Sequence, residues 1–164
     1  MEIKQGLIVK AVSDMYYVDC SGDIYACKAR GKFRNVSLKP LVGDKVTIEI
    51  DSSTSEISAC ITKVSERINS MIRPAVANID ILVIVSSVSL PKPSPAVIDK
   101  ITAAAEYRDI MPAIVFNKVD EATADEYLEI YSKTDYPLLS VSARTGKGIE
   151  RLKKLISGKI VALC

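Results

Sequence analysis

The sequence contains no histidine. A Ser-His-Asp or Cys-His nucleophile therefore cannot be assembled, and no side chain has an ordinary pKa near neutrality. Acid–base catalysis would need a shifted carboxylate or lysine, and nothing in the spacing nominates one. Cysteine is sparse: Cys20, Cys27, Cys60 and Cys164 form no Cys-x-x-Cys pair, so without histidine the usual zinc ligand sets are excluded from this chain as well. Cys20, Cys27 and Cys60 read instead as small apolar core residues. Net charge is nearly absent, with 22 basic residues against 20 acidic. No global field draws such a chain onto nucleic acid or anionic lipid, so any partner of that kind is met by a local patch. The longest apolar segment, Ile79 to Leu90, is broken by serines and falls short of the ~20 residues that span a bilayer. Met1 to Gly6 lacks the basic-then-apolar pattern of a signal peptide. These absences point to a reducing, cytoplasmic setting with no membrane partner.

What is present divides into two grammars. With 164 residues, 48% of them apolar, the chain can bury a core. Residues 1–67 carry short alternating runs at 6–12, 15–20, 24–29, 45–50 and 59–64, rich in β-branched residues and tyrosine. Turn signals at Ser21-Gly22-Asp23, Gly43-Asp44 and Asp51-Ser52-Ser53 separate them. A sheet of that size closes on itself or leaves edges, so a five-stranded oligonucleotide-binding (OB-fold) barrel is expected. Between the third and fourth runs, Lys28, Arg30, Lys32, Arg34 and Lys39 surround Phe33 with no acid among them. Bases that track a phosphate backbone while an aromatic stacks on a nucleobase are how such barrels hold RNA. These six residues are the candidate RNA-binding set, although a merely solvated loop would carry the same charges.

After Arg67 the pattern changes. Asp80 to Val85 is a continuous apolar run, the mark of a strand covered on both faces. Ser94-Pro95 supplies a helix start, with Ser94 as N-cap, and Val97, Ile98, Ile101 and Ala105 follow at helical spacing. Strands at 112–116, 137–141 and 159–164 then alternate with helices at 124–133 and 149–156. Strict alternation predicts a parallel sheet with flanking helices, whose ligands sit at the carboxyl ends of the strands.

Asn117-Lys118-Val119-Asp120 begins where the 112–116 strand ends. An aspartate carboxylate can accept both the N1 and the N2 hydrogens of guanine, a pair that adenine does not offer. Asp120 is thus a candidate guanine discriminator. Asn117 can meet the purine's N7 side or tie neighbouring loops, the stem of Lys118 can lie over the base, and Val119 points inward. A second motif, Ser142-Ala143-Arg144-Thr145-Gly146-Lys147-Gly148, closes the next strand. Ala143 lets its backbone N–H approach the guanine O6, Ser142 can brace Asp120, and the glycines permit the turn into a helix. No Gly-x-x-x-x-Gly-Lys-Ser/Thr phosphate loop accompanies them: Gly31-Lys32, Gly146-Lys147 and Gly158-Lys159 are each followed by the wrong residue.

In ordinary small GTPases the phosphate loop precedes the base motifs; here a barrel and the base motifs come first. That order resembles the circularly permuted GTPases, specifically the ribosome small-subunit-dependent GTPase family. The resemblance is carried by Ala29 to Arg34, Val42 to Val46, Arg73 to Asp80, Asn117 to Asp120 and Ser142 to Gly148, and it extends along essentially the whole chain. It implies an RNA-contacting barrel at 1–67 and, at 68–164, a partial permuted P-loop-GTPase sheet bearing the base-specificity half. It assigns Asn117, Lys118, Val119, Asp120, Ser142, Ala143 and Arg144 to GTP. It further implies that the small ribosomal subunit and its rRNA are partners. By the family's order, the strand at 159–164 leads into the phosphate loop, the Mg²⁺-holding switches and a zinc domain. The chain is therefore expected to be an amino-terminal fragment without those ligands, inactive alone, of a GTPase that matures the small subunit. A different class remains open: a non-catalytic RNA-binding or ribosome-assembly module whose α/β half is a scaffold.

Overall fold

The computed structural model describes residues 2–31, 39–51 and 58–164, so the candidate RNA-binding residues Lys32, Phe33 and Arg34 lie outside the described residues. The chain forms two compact units, Met1–Asn78 and Ile79–Cys164.

The first unit is built on β1 (Glu2–Val12), β2 (Met15–Cys20), β3 (Asp23–Ala29), β4 (Lys45–Asp51) and β5 (Ser58–Val64). They close in the order β1-β2-β3-β5-β4, with β1 pairing antiparallel to both β2 and β4. This is the OB-type barrel expected from the five alternating runs. Period-two alternation sends Tyr16, Val18 and Cys20 of β2 and Val46, Ile48 and Ile50 of β4 inward, where they pack with Ile8, Cys27, Ala59 and Ile61. A register shift between Ile8 and Lys10 bends β1, the usual way a small barrel turns a corner. Burial pushes the Cys27 thiol up to about 12, with Cys20 and Cys60 nearby adding to the effect, so this sulfur is packing material and not a nucleophile.

Residues 68–78, assigned by the sequence pattern to the second half, hydrogen-bond to barrel residues. They form a hairpin of β6 (Ser70–Met71) and β7 (Val76–Ala77). Ala77 N–H donates to Val42 O at 2.8 Å, and Asn78 Nδ2 donates to Gly43 O at 2.8 Å. Gly43 has φ +91°, and a Cβ there would lie 1.9 Å from Ala77 O, so only glycine fits this crossing. Beside it Asp44, fully buried, receives Arg67 Nε on Oδ1 at 2.8 Å. Its Oδ2 accepts an Arg67 guanidinium N–H at 2.8 Å and Leu41 N–H at 2.7 Å. The same guanidinium donates to Lys39 O at 2.7 Å, tying Lys39 to the buried pair.

The second unit holds β8 (Ile81–Ser87), β9 (Met111–Asn117), β10 (Leu138–Ser140) and β11 (Val161–Leu163) in the order β10-β9-β8-β11, all parallel. Helix α1 (Pro95–Glu106) follows β8, α2 (Asp125–Tyr131) follows β9, and α3 (Ile149–Ile156) follows β10. Apolar residues occupy both faces of β8 and β9. Ile81, Val83, Ala113 and Val115 meet Ile149, Leu152, Leu155 and Ile156 of α3. On the other face Phe116 stacks on Tyr127 of α2 at 5.4 Å, and Tyr131 of α2 donates to Asp99 Oδ1 of α1 at 2.9 Å. Thus α1 and α2 share one face and α3 covers the other. Ser94 does stand at the N-cap of α1, but its side chain makes no capping bond; Pro95 at N1 removes one donor and the Ser94 carbonyl accepts from Val97 and Ile98.

Candidate functional site

The parallel register places two motif-bearing strand ends side by side. Ser140 of β10 is opposite Phe116 of β9, so Asn117 and Val141 emerge on neighbouring strands at the same edge. Backbone bonds lace the emerging loops together: Val141 N–H to Phe116 O at 2.8 Å, and Val119 N–H to Val141 O at 3.2 Å. Val119 is half-buried beneath them.

Ser142 is fully buried, and its hydroxyl both donates and accepts. It donates to Asp120 Oδ1 at 2.5 Å and accepts from Thr145 N–H at 3.1 Å. The Asp120 side chain retains 13% of its exposure, and its second oxygen pairs with the guanidinium of Arg144, whose side chain is 71% exposed. The Ser142 hydrogen bond is the largest influence on the Asp120 carboxyl, holding it below its ordinary value; its own backbone and Arg144 add to this, against a smaller opposing effect of desolvation. Asp120 is therefore an ionised acceptor at neutral pH, one oxygen fixed by a buried hydroxyl and the other turned to an exposed cation.

Asn117 ties the loops. Its Oδ1 accepts Lys118 N–H at 2.7 Å and Ala143 N–H at 3.1 Å. The Ala143 amide, assigned from sequence to the guanine O6, is here donated to Asn117, so an incoming carbonyl would have to share or take over that donor. Lys118 sits at φ +67°, an uncommon conformation for a side-chain-bearing residue, and the Asn117 bond to its N–H holds it there. Its ammonium donates to Leu90 O, in the β8–α1 loop, at 3.0 Å. Gly148 fixes the exit: φ is +76° and a Cβ would meet Ser140 O at 2.3 Å.

The barrel candidates are less gathered. Lys28, next to the last residue of β3, is exposed, and so is Lys39. Arg30 is paired with Glu49 of β4. The Asp44–Arg67 pair was not singled out from sequence, since its partners are 23 residues apart and neither stands in a recognisable spacing. Among the described residues no group of three or more His, Cys, Asp or Glu side chains is placed to hold a metal ion. Among them, too, no helix is long and apolar enough to cross a membrane.

A closed five-stranded barrel, followed by a parallel sheet whose adjacent strand ends bear Asn-Lys-x-Asp and Ser-Ala motifs, defines a GTPase-type α/β protein with an OB-type amino-terminal module. Residues 64–164 match the RsgA GTPase family and residues 5–57 match the RsgA N-terminal domain. The chain belongs to the RsgA GTPase family. It is 37% identical over 163 residues to the small ribosomal subunit biogenesis GTPase RsgA of Caldanaerobacter subterraneus subsp. tengcongensis, a match covering 98% of this chain and 54% of that protein. The protein of the same name from Clostridium perfringens is 34% identical over 163 residues, covering 98% of this chain and 55% of that one. Among solved structures, YjeQ from Thermotoga maritima superposes with a TM-score of 0.83 at 37% identity, covering 99% of this chain and 60% of that one. YloQ, described as a circularly permuted GTPase, superposes with a TM-score of 0.74 at 28% identity, covering 99% of this chain and 60% of that one. The chain spans about half the length of the curated relatives it matches.

Proposed function

We propose that this chain supplies the guanine-reading half of a GTPase that acts in maturation of the small ribosomal subunit, together with an RNA-binding barrel. The bond that carries this reading is Ser142 Oγ to Asp120 Oδ1, which joins the two strand-end motifs into one acceptor site. An ionised carboxylate suits the N1–H and N2–H edge of guanine, and Arg144 yields its place on Oδ2 when the base arrives. Asn117 holds the two loops at a common height, its amide nitrogen facing the N7 side, while Lys118 lays its stem along the base. Val119 seats the turn, and Ala143 offers its N–H to O6. Adenine presents the opposite donor–acceptor order along this edge and is rejected, typically by a factor of about ten thousand in sites built this way.

Bound GTP would supply the phosphoryl group, and Mg²⁺ would neutralise charge on its phosphates in hydrolysis; the residues for those parts of the site, and for a zinc module, are assigned to the remainder of the full-length protein. Cytoplasmic residence and partnership with small-subunit rRNA belong to the same reading, with Lys28, Arg30, Lys32, Phe33, Arg34 and Lys39 meeting RNA. The sequences of the relatives named for small-subunit biogenesis support it. The test is the association of full-length protein with purified small subunits under GTP, GDP, ATP and no nucleotide. Association promoted by guanine nucleotide and not by ATP is expected. Equal association in all four conditions would favour the assembly-module alternative.

A further inference from the structure

Outside the base-reading edge, the strongest charge asymmetry of the second unit lies on its helices. Helix α2 and the residues around it expose Glu121, Asp125, Glu126, Glu129 and Asp135, with Lys133 the one base among them. On the opposite face of the sheet, α3 and its flanking turns expose Lys147, Arg151, Lys153, Lys154 and Lys159. The one acid of α3, Glu150, is taken by Lys153 at 2.8 Å. Among the described residues, Lys147, Arg151 and Lys154 have no acidic partner.

Helix electrostatics account for part of this pattern and leave the rest unexplained. Cations in the last turn, Lys153 and Lys154, complement the helix macrodipole. Lys147 is the reverse: it stands just ahead of Ile149, the first residue of α3, where the macrodipole opposes a positive charge. Arg151 and Lys154 are three apart on one helix face, a like-charge spacing that weakens a helix. The apolar face of α3 is spent on the sheet through Ile149, Leu152, Leu155 and Ile156, so the basic residues occupy the outward side. Lys147 ahead of the helix and the Arg151–Lys154 spacing are unfavourable to α3 itself, and on a chain whose charges nearly balance overall they fit an external polyanion.

We propose that the outward face of α3, through Lys147, Arg151 and Lys154, is a second RNA-contacting surface that grips the phosphate backbone, separate from the barrel. The inference rests on the reading of this protein as a factor that binds small-subunit RNA. Three outward cations with no aromatic among them suit phosphate and not unstacked bases, so this face adds affinity and orientation without reading sequence. Its position on α3, which opens directly from the Ser142–Gly148 turn, couples RNA contact to the loop that braces Asp120.

The experiment is equilibrium binding of full-length protein to protein-free small-subunit RNA over a salt series, comparing wild type, Arg151→Glu/Lys154→Glu, and Lys100→Glu/Lys133→Glu. The last pair makes the same charge change on α1 and just after α2, on the opposite face, and guanine-nucleotide binding checks that each variant is folded. The α3 variant is expected to lose at least about tenfold in affinity at low salt, with its log K against log[salt] slope shallower by about 1.5, as removal of two phosphate contacts requires. The opposite-face variant is expected to change far less. Equal losses in the two variants, or a wild-type slope for the α3 variant, would overturn the proposal. So would an α3 variant that binds naked RNA normally but fails on intact subunits, since that would give the face to a protein partner. Wild-type protein that shows no salt-dependent RNA binding would instead refute the underlying reading of the protein.

Discussion

Ser142 Oγ donates to Asp120 Oδ1 at 2.5 Å across 22 residues of sequence, joining the loops that follow β9 and β10. Because Ser142 is wholly buried and its oxygen also accepts Thr145 N–H, the hydroxyl has no freedom to turn elsewhere. The carboxylate is held as an anion by a donor that solvent cannot replace.

Ser142→Ala removes that donor. In the wild type, the Asp120 carboxyl is expected to titrate below 3.8 by carbon-13 NMR, and in the variant its midpoint rises. The sign follows from the lowered pKa: the interaction contributes in full above the unfolded-state value and is lost as pH falls through the folded-state one. Guanine-nucleotide affinity of the full-length variant falls by about tenfold, as for loss of a charge-assisted hydrogen bond. An unchanged Asp120 midpoint would show that the hydroxyl does not set the carboxylate's charge.

In the proposed reading Arg144, paired with the outer oxygen of Asp120, competes with the base for it. Its guanidinium is mostly exposed, so the competition is weak, and Arg144→Ala is expected to tighten guanine-nucleotide binding by no more than about fivefold. Titration at two salt concentrations checks this, because the gain shrinks as salt screens the pair. A loss of affinity on substitution would mean that Arg144 contacts the bound nucleotide more than it obstructs it.

Arg67→Ala leaves Asp44 buried with one backbone hydrogen bond in place of three. Breaking a buried pair on one side costs about 3–5 kcal/mol, and the variant should lose that much in urea unfolding of the barrel unit. The double variant Asp44→Ala/Arg67→Ala is expected to lose less than the sum of the two single changes. Strict additivity would indicate that the two side chains are not coupled.

Gly148→Ala forces a Cβ against Ser140 O and demands a left-handed conformation of alanine, which costs about 1–2 kcal/mol before the clash is counted. The turn into α3 shifts, and guanine-nucleotide affinity and melting temperature fall together. Gly146→Ala, where a Cβ would meet nothing within 4 Å, carries only the backbone strain and is the milder change.

Local patterns disclosed what depends on local physics. The alternation in Met15–Cys20 and Lys45–Asp51 and the continuous apolar runs of β8 and β9 reflect burial on one or both faces, and these fix the barrel and the sheet. Strand ends on adjacent parallel strands bring Asp120 and Ser142 within reach, which motif placement alone could anticipate. Contacts set by loop conformation were not legible. Nothing in the residue types says that Asn117 Oδ1 takes the Ala143 amide, or that Arg144 folds back on Asp120. The two-residue strands β6 and β7 are too short for any period to register, and the bonds of Ala77 to Val42 and of Asn78 to Gly43 join residues far apart in sequence. Ser94 carries the residue type of a cap without making its bond, because propensity reports preference and not geometry.

The most direct test is nucleotide competition on full-length Asp120→Asn. The amide keeps an acceptor for N1–H and turns the other position into a donor, matching the O2 of xanthine in place of the N2 amino group of guanine. If Asp120 reads the base, GTP preference over XTP should reverse, with guanine affinity falling about a thousandfold or more while XTP binds near the wild-type GTP level. An Asp120→Asn protein that still binds nucleotide and still prefers GTP would contradict the assignment.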